Sequence, residues 1–170
     1  MEGTTRSQTG SPAYDFTGWY AHSLDAKGRM VVPQAFREQL GERFCVAPAH
    51  DFQSIALYPT DAWYEARARY ERLSGVQPAV LLYLDLFNAL SFRDQECDSQ
   101  GRVLLPLKIR QTILGEERDV EITGAKNYVR IISSVKSQTQ VADFFEHLQD
   151  TLNLIAELER EKQGKAPSVD

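Results

Sequence analysis

The sequence predicts an α+β protein in which one structural plan occurs twice and a long helix follows. The first observation is a repeated motif, because DAKGR at residues 25–29 returns as DSQGR at residues 98–102, 73 positions further on. The second is that each motif precedes an apolar triplet and a proline. The third is a series of apolar residues near the C-terminal end, spaced alternately by four and three positions, which is typical of a helix that packs on another surface.

The first half begins with a predicted hairpin. Residues 18–24, GWYAHSL, have the alternation and the aromatic content of a strand. DAKG then predicts a tight turn, because Asp can accept hydrogen bonds from the backbone amides that follow it and Gly accepts a positive φ. RMVV at residues 29–32 returns as a second strand, so Arg29 is expected near the tip of a two-stranded ribbon.

A short helix and a second hairpin complete this half. Pro33 fits the first turn of a helix, where its missing N–H costs nothing. Phe36 and Leu40 lie four positions apart and should share the buried face of that helix, which Gly41 ends. The segments FCVAPAH and SIALYP, separated by DFQ, predict two further strands.

The second half repeats the same order of elements. LSFRDQEC leads into the turn DSQG, and RVLL returns as a strand. Pro106 should open a helix that has Ile109 and Ile113 on one face and ends at Gly115. DVEIT and YVRIIS then predict a hairpin around GAKN.

Helices are expected between and after the two halves. Thr60 is suited to cap one of them, with Asp61 in its first turn, and Pro78 is suited to open another. The C-terminal helix carries an apolar seam, which would serve either as a lid on its own domain or as a contact between subunits. The seam consists of Val141, Phe145, Leu148, Leu152 and Ile155, with Phe144 and Leu158 beside them. The expected organisation is a disordered arm at 1–15, a first half at 16–64, connecting helices at 65–90, a second half at 91–136, the C-terminal helix at 137–163 and a tail at 164–170.

Composition limits the class of protein. The net charge of −5 and the pI of about 5.3 argue against a protein that coats nucleic acid through bulk charge. The acidic residues are concentrated from Val141 onward, so the remainder is nearly neutral and can carry local basic patches. No apolar run approaches the roughly 20 residues of a membrane span, and the start lacks the apolar core of a signal peptide. We therefore expect a cytoplasmic protein without membrane association, with Cys45 and Cys97 as small core residues in a reducing compartment.

Catalysis is not expected. His22, His50 and His147 lie in different segments, without the spacing of metal ligands. Neither a glycine-rich phosphate loop nor a nucleophile elbow occurs. Ser23 and Asp25 are close to His22, but alternate residues of a strand point to opposite faces, which does not suit a catalytic triad. The sequence therefore predicts a protein without a catalytic residue, a metal or a cofactor.

The repeated turn has one feature that turn geometry does not require. Any tight turn favours Asp at its start and Gly near its end, so a single copy would be ordinary scaffold. Arginine directly after the glycine occurs in both copies, as Arg29 and Arg102. A two-stranded ribbon fits the DNA major groove, where arginine can fork onto guanine O6 and N7 or bind a phosphate. Asp25 and Asp98 are expected to hold the turn or to orient the arginine, because phosphates would repel them.

Other residues near the two turns have smaller expected roles. Lys27 adds a point charge in the first copy, whereas Gln100 at the matching position can only form hydrogen bonds. Arg37 and Arg110, on the helices that follow the prolines, are candidate DNA contacts, although solvation or an ion pair would equally explain them.

At these residues the sequence resembles the MraZ family of bacterial transcriptional regulators. The resemblance extends from about Phe16 to about Phe145, and its mark is a D-x-x-x-R motif in each of two halves, here DAKGR and DSQGR. FREQLGERF at 36–44 and LYPTDAW at 57–63 also resemble the family's first half. The N-terminal arm and the acidic end of the C-terminal helix extend beyond the resemblance, and the tryptophan often found after the last strand is absent from YVRIISSVKSQ.

The resemblance implies an AbrB/SpoVT-like swapped-hairpin fold, with a small β-barrel-like core built from two interleaved halves and surrounded by helices. It implies a ring-shaped homo-oligomer that binds double-stranded DNA at short G-rich direct repeats in the promoter of the cell-division and cell-wall gene cluster. Such a regulator would be associated with the nucleoid. The DNA-facing residues that it implies are Lys27, Gly28 and Arg29 in one loop and Gln100, Gly101 and Arg102 in the other, with Asp25 and Asp98 as orienting residues. The alternative is an AbrB-like oligomeric module that binds protein and not DNA.

Overall fold

The computed structural model describes residues 14–75 and 77–164, and these residues form eight strands and six helices. Most of the predicted N-terminal arm, and the tail beyond residue 164, lie outside the described residues. In chain order the elements are β1 (Trp19–Ser23), β2 (Arg29–Val31), α1 (Gln34–Leu40), β3 (Phe44–Pro48), β4 (Ile55–Pro59), α2 (Thr60–Ser74), α3 (Pro78–Ala89), β5 (Phe92–Gln95), β6 (Arg102–Leu104), α4 (Leu107–Ile113), β7 (Asp119–Gly124), β8 (Val129–Ser133), α5 (Ser134–Glu146) and α6 (Leu148–Gly164).

Six of the described strands form one antiparallel sheet in the order β1-β7-β8-β4-β3-β5, and β2 and β6 form a separate two-stranded ribbon. Exchanging each strand for its counterpart in the other half (β1 for β5, β3 for β7 and β4 for β8) gives the same strand order read from the opposite edge of the sheet. The two halves are therefore related by an approximate two-fold axis between β4 and β8, and each half supplies strands to the other. This confirms the predicted α+β fold of two interleaved halves.

The structure corrects the local hairpins that the sequence predicted at the two motifs. Among the described strands, β1 pairs with β7 and β2 pairs with β6, so the strands that flank each turn do not pair with each other. The turn itself forms, with the Asp25 amide donating to the Arg29 carbonyl at 2.9 Å and the Gly28 amide donating to the Asp25 carbonyl at 3.0 Å. An isolated hairpin is marginal in water, whereas pairing across the halves buries Met30 and Val103.

Two hydrophobic layers enclose the sheet. The β2·β6 ribbon and the helices α1 and α4 cover one face, where Phe36 and Ile109 are fully buried, as the predicted helix faces require. Full burial of one such side chain stabilises the fold by roughly 1.5–3 kcal/mol. The helices α2 and α3 cover the other face, which contains Trp63. Alternate residues of β4 serve both layers, since Leu57 lies in the first and Tyr58 in the second.

The helices between the halves differ in one detail from the prediction. α2 begins at Thr60 itself, and Pro59 is the flanking residue before it. The Thr60 hydroxyl donates to the Arg43 carbonyl at 3.2 Å, so Thr60 is a helical residue and not the predicted cap. Asp61 lies in the first turn and Pro78 opens α3, both as expected, whereas Pro33 and Pro106 are the residues just before α1 and α4 and do not lie in the first turn, where they were predicted.

The C-terminal segment consists of α5 and α6, which only His147 separates. The His147 amide is shared between the carbonyls of Asp143 at 3.3 Å and Phe144 at 3.2 Å, so the regular helical hydrogen bonding loosens there. Phe145, in the predicted seam, is 65% exposed. None of the residues of α6, all of which are described, is buried. This unit of the chain therefore presents an exposed apolar surface.

Candidate nucleic-acid interface

The first copy of the motif folds into a small loop, residues 25–28, which we call loop 1. Asp25 organises it, because its Oδ1 accepts hydrogen bonds from the amides of Lys27 and Arg29, both at 2.9 Å. Its other oxygen, Oδ2, accepts a hydrogen bond from Nε of Arg29 at 2.7 Å. One carboxylate thus holds both the backbone of the loop and the side chain of the arginine.

The second copy, residues 98–101 or loop 2, has the same geometry. Oδ1 of Asp98 accepts hydrogen bonds from the amides of Gln100 and Arg102 at 2.9 Å, and Oδ2 accepts one from Nε of Arg102 at 2.8 Å. Within the described part of the chain, the aspartate is the only hydrogen-bonding or ion-pair partner of each motif guanidinium. The terminal nitrogens Nη1 and Nη2 of both arginines therefore remain available to a ligand.

The two carboxylates are stabilised in their ionised form. The hydrogen bond from the Arg29 amide, together with those from the Arg29 side chain and the Lys27 amide, lowers the pKa of Asp25 to about 2. The corresponding bonds, that from the Arg102 amide first, lower the pKa of Asp98. Both loops consequently keep their aspartate charged throughout the neutral pH range.

Replacing both aspartates by asparagine is expected to lower thermal stability by an amount that depends on pH. A carboxylate with a depressed pKa stabilises the folded state above its unfolded pKa and loses this contribution as the pH falls through its folded pKa. The difference in Tm between the wild type and Asp25→Asn/Asp98→Asn should therefore be steady above about pH 5; the Asp25 contribution should close between about pH 4 and pH 2, and the Asp98 contribution should also decrease as the pH falls, because its pKa is lowered too. Thermal scans by circular dichroism at several pH values measure it. A gap that is undiminished at pH 2 would assign the effect to something other than the carboxylate charge.

Arginines from the opposite half brace the two loops. Gly28 has a φ of 82° and Gly101 a φ of 75°, which residues with a side chain rarely adopt. A Cβ atom on Gly28 would lie 2.5 Å from Cζ of Arg110, and one on Gly101 would collide with Nη1 of Arg37. Arg37, on α1, therefore packs on loop 2 of the second half, whereas Arg110, on α4, packs on loop 1 of the first half.

These bracing arginines add positive charge beneath the loops. Within the described residues neither Arg37 nor Arg110 has an ion-pair partner, and Nε of each is buried without a hydrogen-bond partner. The Arg37 charge also reaches the thiol of Cys97, next to loop 2, where burial nevertheless raises the pKa. Each loop thus combines a motif arginine from its own half with a bracing arginine from the other half.

The β2·β6 ribbon presents one face that carries both motif arginines. Arg29 lies opposite Leu104, and Val31 lies opposite Arg102. Opposite residues of paired strands point to the same side, as do residues two positions apart. These four side chains therefore form a single surface, which we call the ribbon face. The intervening residues of both strands point into the core.

The loops lie at opposite ends of the ribbon and are joined to it across the halves. The Val32 amide donates to the Gly101 carbonyl at 2.9 Å, and the Leu105 amide donates to the Gly28 carbonyl at 3.0 Å. The structure thereby gathers all the site residues that the sequence suggested into one surface, with the two glycines buried and the side chains of Lys27 and Gln100 exposed. The loops and the ribbon face together carry five cations (Lys27, Arg29, Arg37, Arg102 and Arg110), in a chain whose net charge is −5.

Val31 and Leu104 had no predicted functional role, yet they are 42% and 53% exposed on the ribbon face. They belong to the apolar triplets, whose other members are buried. Their spacing in the sequence does predict this exposure, because each follows a motif arginine by two residues in a strand and must share its face.

The described part of the chain has no cluster of metal ligands, no reactive cysteine and no helix suited to crossing a membrane. It contains no group of three or more His, Cys, Asp or Glu side chains that could hold a metal ion. Cys45 and Cys97 are free, and burial raises the pKa of the Cys45 thiol to about 12, which makes it a poor nucleophile. None of the described helices is both long enough and apolar enough to cross a membrane.

The interleaved halves, the two aspartate-ordered loops and the ribbon face define a tandem AbrB-like swapped-hairpin protein. A family model described as "MraZ protein, putative antitoxin-like" matches residues 16–80. The chain is 33% identical over 142 residues to the transcriptional regulator MraZ of Desulfitobacterium hafniense (strain Y51), which covers 84% of this chain and 94% of that protein. It is 35% identical to the MraZ regulator of Syntrophomonas wolfei, with the same coverage, and 34% identical to that of Acetivibrio thermocellus over 75% of this chain and 87% of the relative.

The chain belongs to the MraZ family of transcriptional regulators. These relatives are named as transcriptional regulators and not as enzymes, which agrees with the expectation that the protein is not an enzyme.

Proposed function

We propose that this protein is a DNA-binding transcriptional regulator that recognises short G-rich direct repeats in the promoter of the bacterial cell-division and cell-wall gene cluster. One observation carries the proposal, namely the presentation of Arg29 and Arg102 on one ribbon face, each half-buried and fixed by its own aspartate. Each aspartate binds only Nε of its arginine, so the two terminal nitrogens of the guanidinium can donate a pair of hydrogen bonds to O6 and N7 of a guanine.

Preorganisation is the second support for this proposal. Immobilising a flexible side chain at an interface costs roughly 0.5–1.5 kcal/mol, and an arginine already held by a carboxylate incurs less of this cost on binding. The aspartates also fix the guanidinium plane, on which a bidentate contact depends. They act as orienting residues, and DNA would be contacted by the arginines.

The remaining cations would serve the phosphate backbone. Lys27 is exposed at the tip of loop 1, and Arg37 and Arg110 supply charge beneath the loops. Gln100 replaces the lysine in loop 2, so the two ends of the ribbon face would bind DNA unequally. This asymmetry gives the surface a direction along the duplex, which suits direct repeats better than a strictly two-fold site.

Assembly would compensate for the small number of cations in each chain. An acidic chain with a few basic contacts binds DNA weakly alone, but neighbouring copies on neighbouring repeats raise the affinity through effective concentration. The apolar seam on α5 and α6, in which Phe145, Leu152 and Ile155 are exposed, is a suitable contact between copies. We therefore propose a ring-shaped homo-oligomer that acts at the nucleoid in the cytoplasm.

Salt dependence is the direct test of DNA binding. Each phosphate contact releases counterions, so log K should fall linearly with log salt concentration, with a slope of about −0.9 per contact. Titrating promoter-length duplex at salt concentrations between about 50 and 200 mM should show retention at low salt and steep loss at high salt. The protein-only module predicts no duplex retained even at the lowest salt, and that result would contradict the proposal.

A further inference from the structure

The geometry points to a second element of DNA recognition on the ribbon face. We infer that Val31 and Leu104 contact the C5-methyl groups of thymines that neighbour the bases bound by the motif arginines. This inference rests on the proposed function, because it specifies which base pairs the same surface recognises. The ligand chemistry is an apolar methyl group in the major groove, where thymine alone of the four bases carries one.

The placement of these side chains follows from strand pairing. Val31 lies opposite Arg102 and Leu104 opposite Arg29, so each aliphatic side chain lies roughly 5 Å from a guanidinium-bearing residue, measured between Cβ atoms. A ligand that reaches the arginines must therefore also meet the aliphatic groups. The two arginines are diagonal neighbours, roughly 7–8 Å apart, which is about two base-pair steps along a duplex with a rise of 3.4 Å.

Packing within the protein does not account for these two residues. The core contacts of the ribbon are made from its other side, by Met30 and Val103, which are each only 1% exposed. Val31 and Leu104 remain 42% and 53% exposed, so they contribute less burial than a core position would. A strand on a wet surface accepts threonine or tyrosine equally well, and neither copy has a polar residue there.

An exposed aliphatic residue occurs at the same position in both halves of the chain. Leu104 stands 73 positions after Val31, at the same offset that separates the two motif arginines. By contrast, the tips of the loops differ, with Lys27 in one and Gln100 in the other. The aliphatic position on the ribbon face is thus retained in both halves along with the arginine, while a neighbouring charged position is not.

Removing the thymine methyl groups from the DNA tests the inference without altering the protein fold. Duplexes that bind the wild-type protein are first selected from a random pool, and each thymine is then replaced by deoxyuridine, which keeps base pairing and removes only the methyl. The wild type should lose affinity by about four-fold for each methyl contact removed. Val31→Ala/Leu104→Ala should bind the thymine duplex more weakly by a similar factor and should be nearly insensitive to deoxyuridine.

The matched control is Leu81→Ala, an exposed leucine on α3 in the layer on the other side of the sheet (49% exposed), which should keep the full deoxyuridine effect. Circular dichroism and light scattering establish that all variants keep the fold and oligomer of the wild type. Equal affinity of the wild type for the thymine and deoxyuridine duplexes would overturn this inference alone. Failure to select any duplex would overturn the proposed function and the inference together.

Discussion

Replacing Arg29 and Arg102 together by alanine is expected to reduce the affinity for a duplex with several repeats by roughly a hundred-fold or more. A good bidentate contact to guanine discriminates by about 1–3 kcal/mol, and the double variant loses both. It also leaves the charges of Asp25 and Asp98 without the neighbouring guanidinium on a surface that approaches phosphates, so repulsion adds to the loss. Fluorescence anisotropy of labelled duplex, titrated at several salt concentrations, measures the change.

The chain offers a control with the same loss of charge. Arg69 and Arg72 are exposed on α2, in the layer on the other side of the sheet from the ribbon. Arg69→Ala/Arg72→Ala should therefore bind nearly as the wild type does, apart from a small general effect of charge. Light scattering must give the same oligomer for all three proteins. Wild-type affinity of the Arg29/Arg102 variant in an unchanged oligomer would contradict the assigned contacts.

Reducing the number of DNA repeats is expected to have the other large effect. A duplex with one repeat engages one ribbon face, whereas a duplex with several engages neighbouring copies at high effective concentration. Linked binding of this kind raises affinity by about 10²–10⁴-fold without any new contact. Titration of the wild type with duplexes of equal length that contain one, two or three intact repeats measures the gain.

The DNA controls keep length and base composition constant by scrambling the remaining repeats. A duplex in which the spacing between intact repeats is changed by half a helical turn should lose most of the gain, because neighbouring copies can no longer engage the same side. Equal affinity for one and for three repeats would show that assembly does not contribute to recognition. Such a result would leave single-chain contacts as the whole of the interaction.

Features that depend on a few neighbouring residues were predictable from the sequence. The turn at DAKG forms because Asp25 reaches amides two and four residues ahead, and the helices after Pro33 and Pro106 bury the residues that their spacing selects. The later hairpins also form where the sequence indicates, since short loops bring their strands together. The orientation of each motif arginine was one of two roles expected for its aspartate, which lies four residues away.

The predicted helix cap at Thr60 was wrong, and the reason is a contact with a residue distant in the sequence. Thr60 has the residue type and the acidic neighbour of a helix cap, yet its hydroxyl donates to the Arg43 carbonyl in the preceding hairpin. Competition between a local and a tertiary acceptor cannot be judged from spacing alone. The exposure of Val31 and Leu104 has a different origin, since each lies two residues after a motif arginine in a strand and shares the face of that arginine.

The sequence alone determined the tandem plan, the two turns and the helix faces, because all of these follow from bonds or periodicities within a few residues; it left open whether each motif aspartate holds its turn or orients its arginine, and the structure shows that it does both. Only the tertiary structure decided that β2 pairs with β6 and not with β1, and that Arg37 and Arg110 brace the loops of the opposite half. Every strand edge offers the same backbone donors and acceptors, so partners are chosen by the apolar surface that each pairing buries. That surface exists only once both halves of the chain have come together.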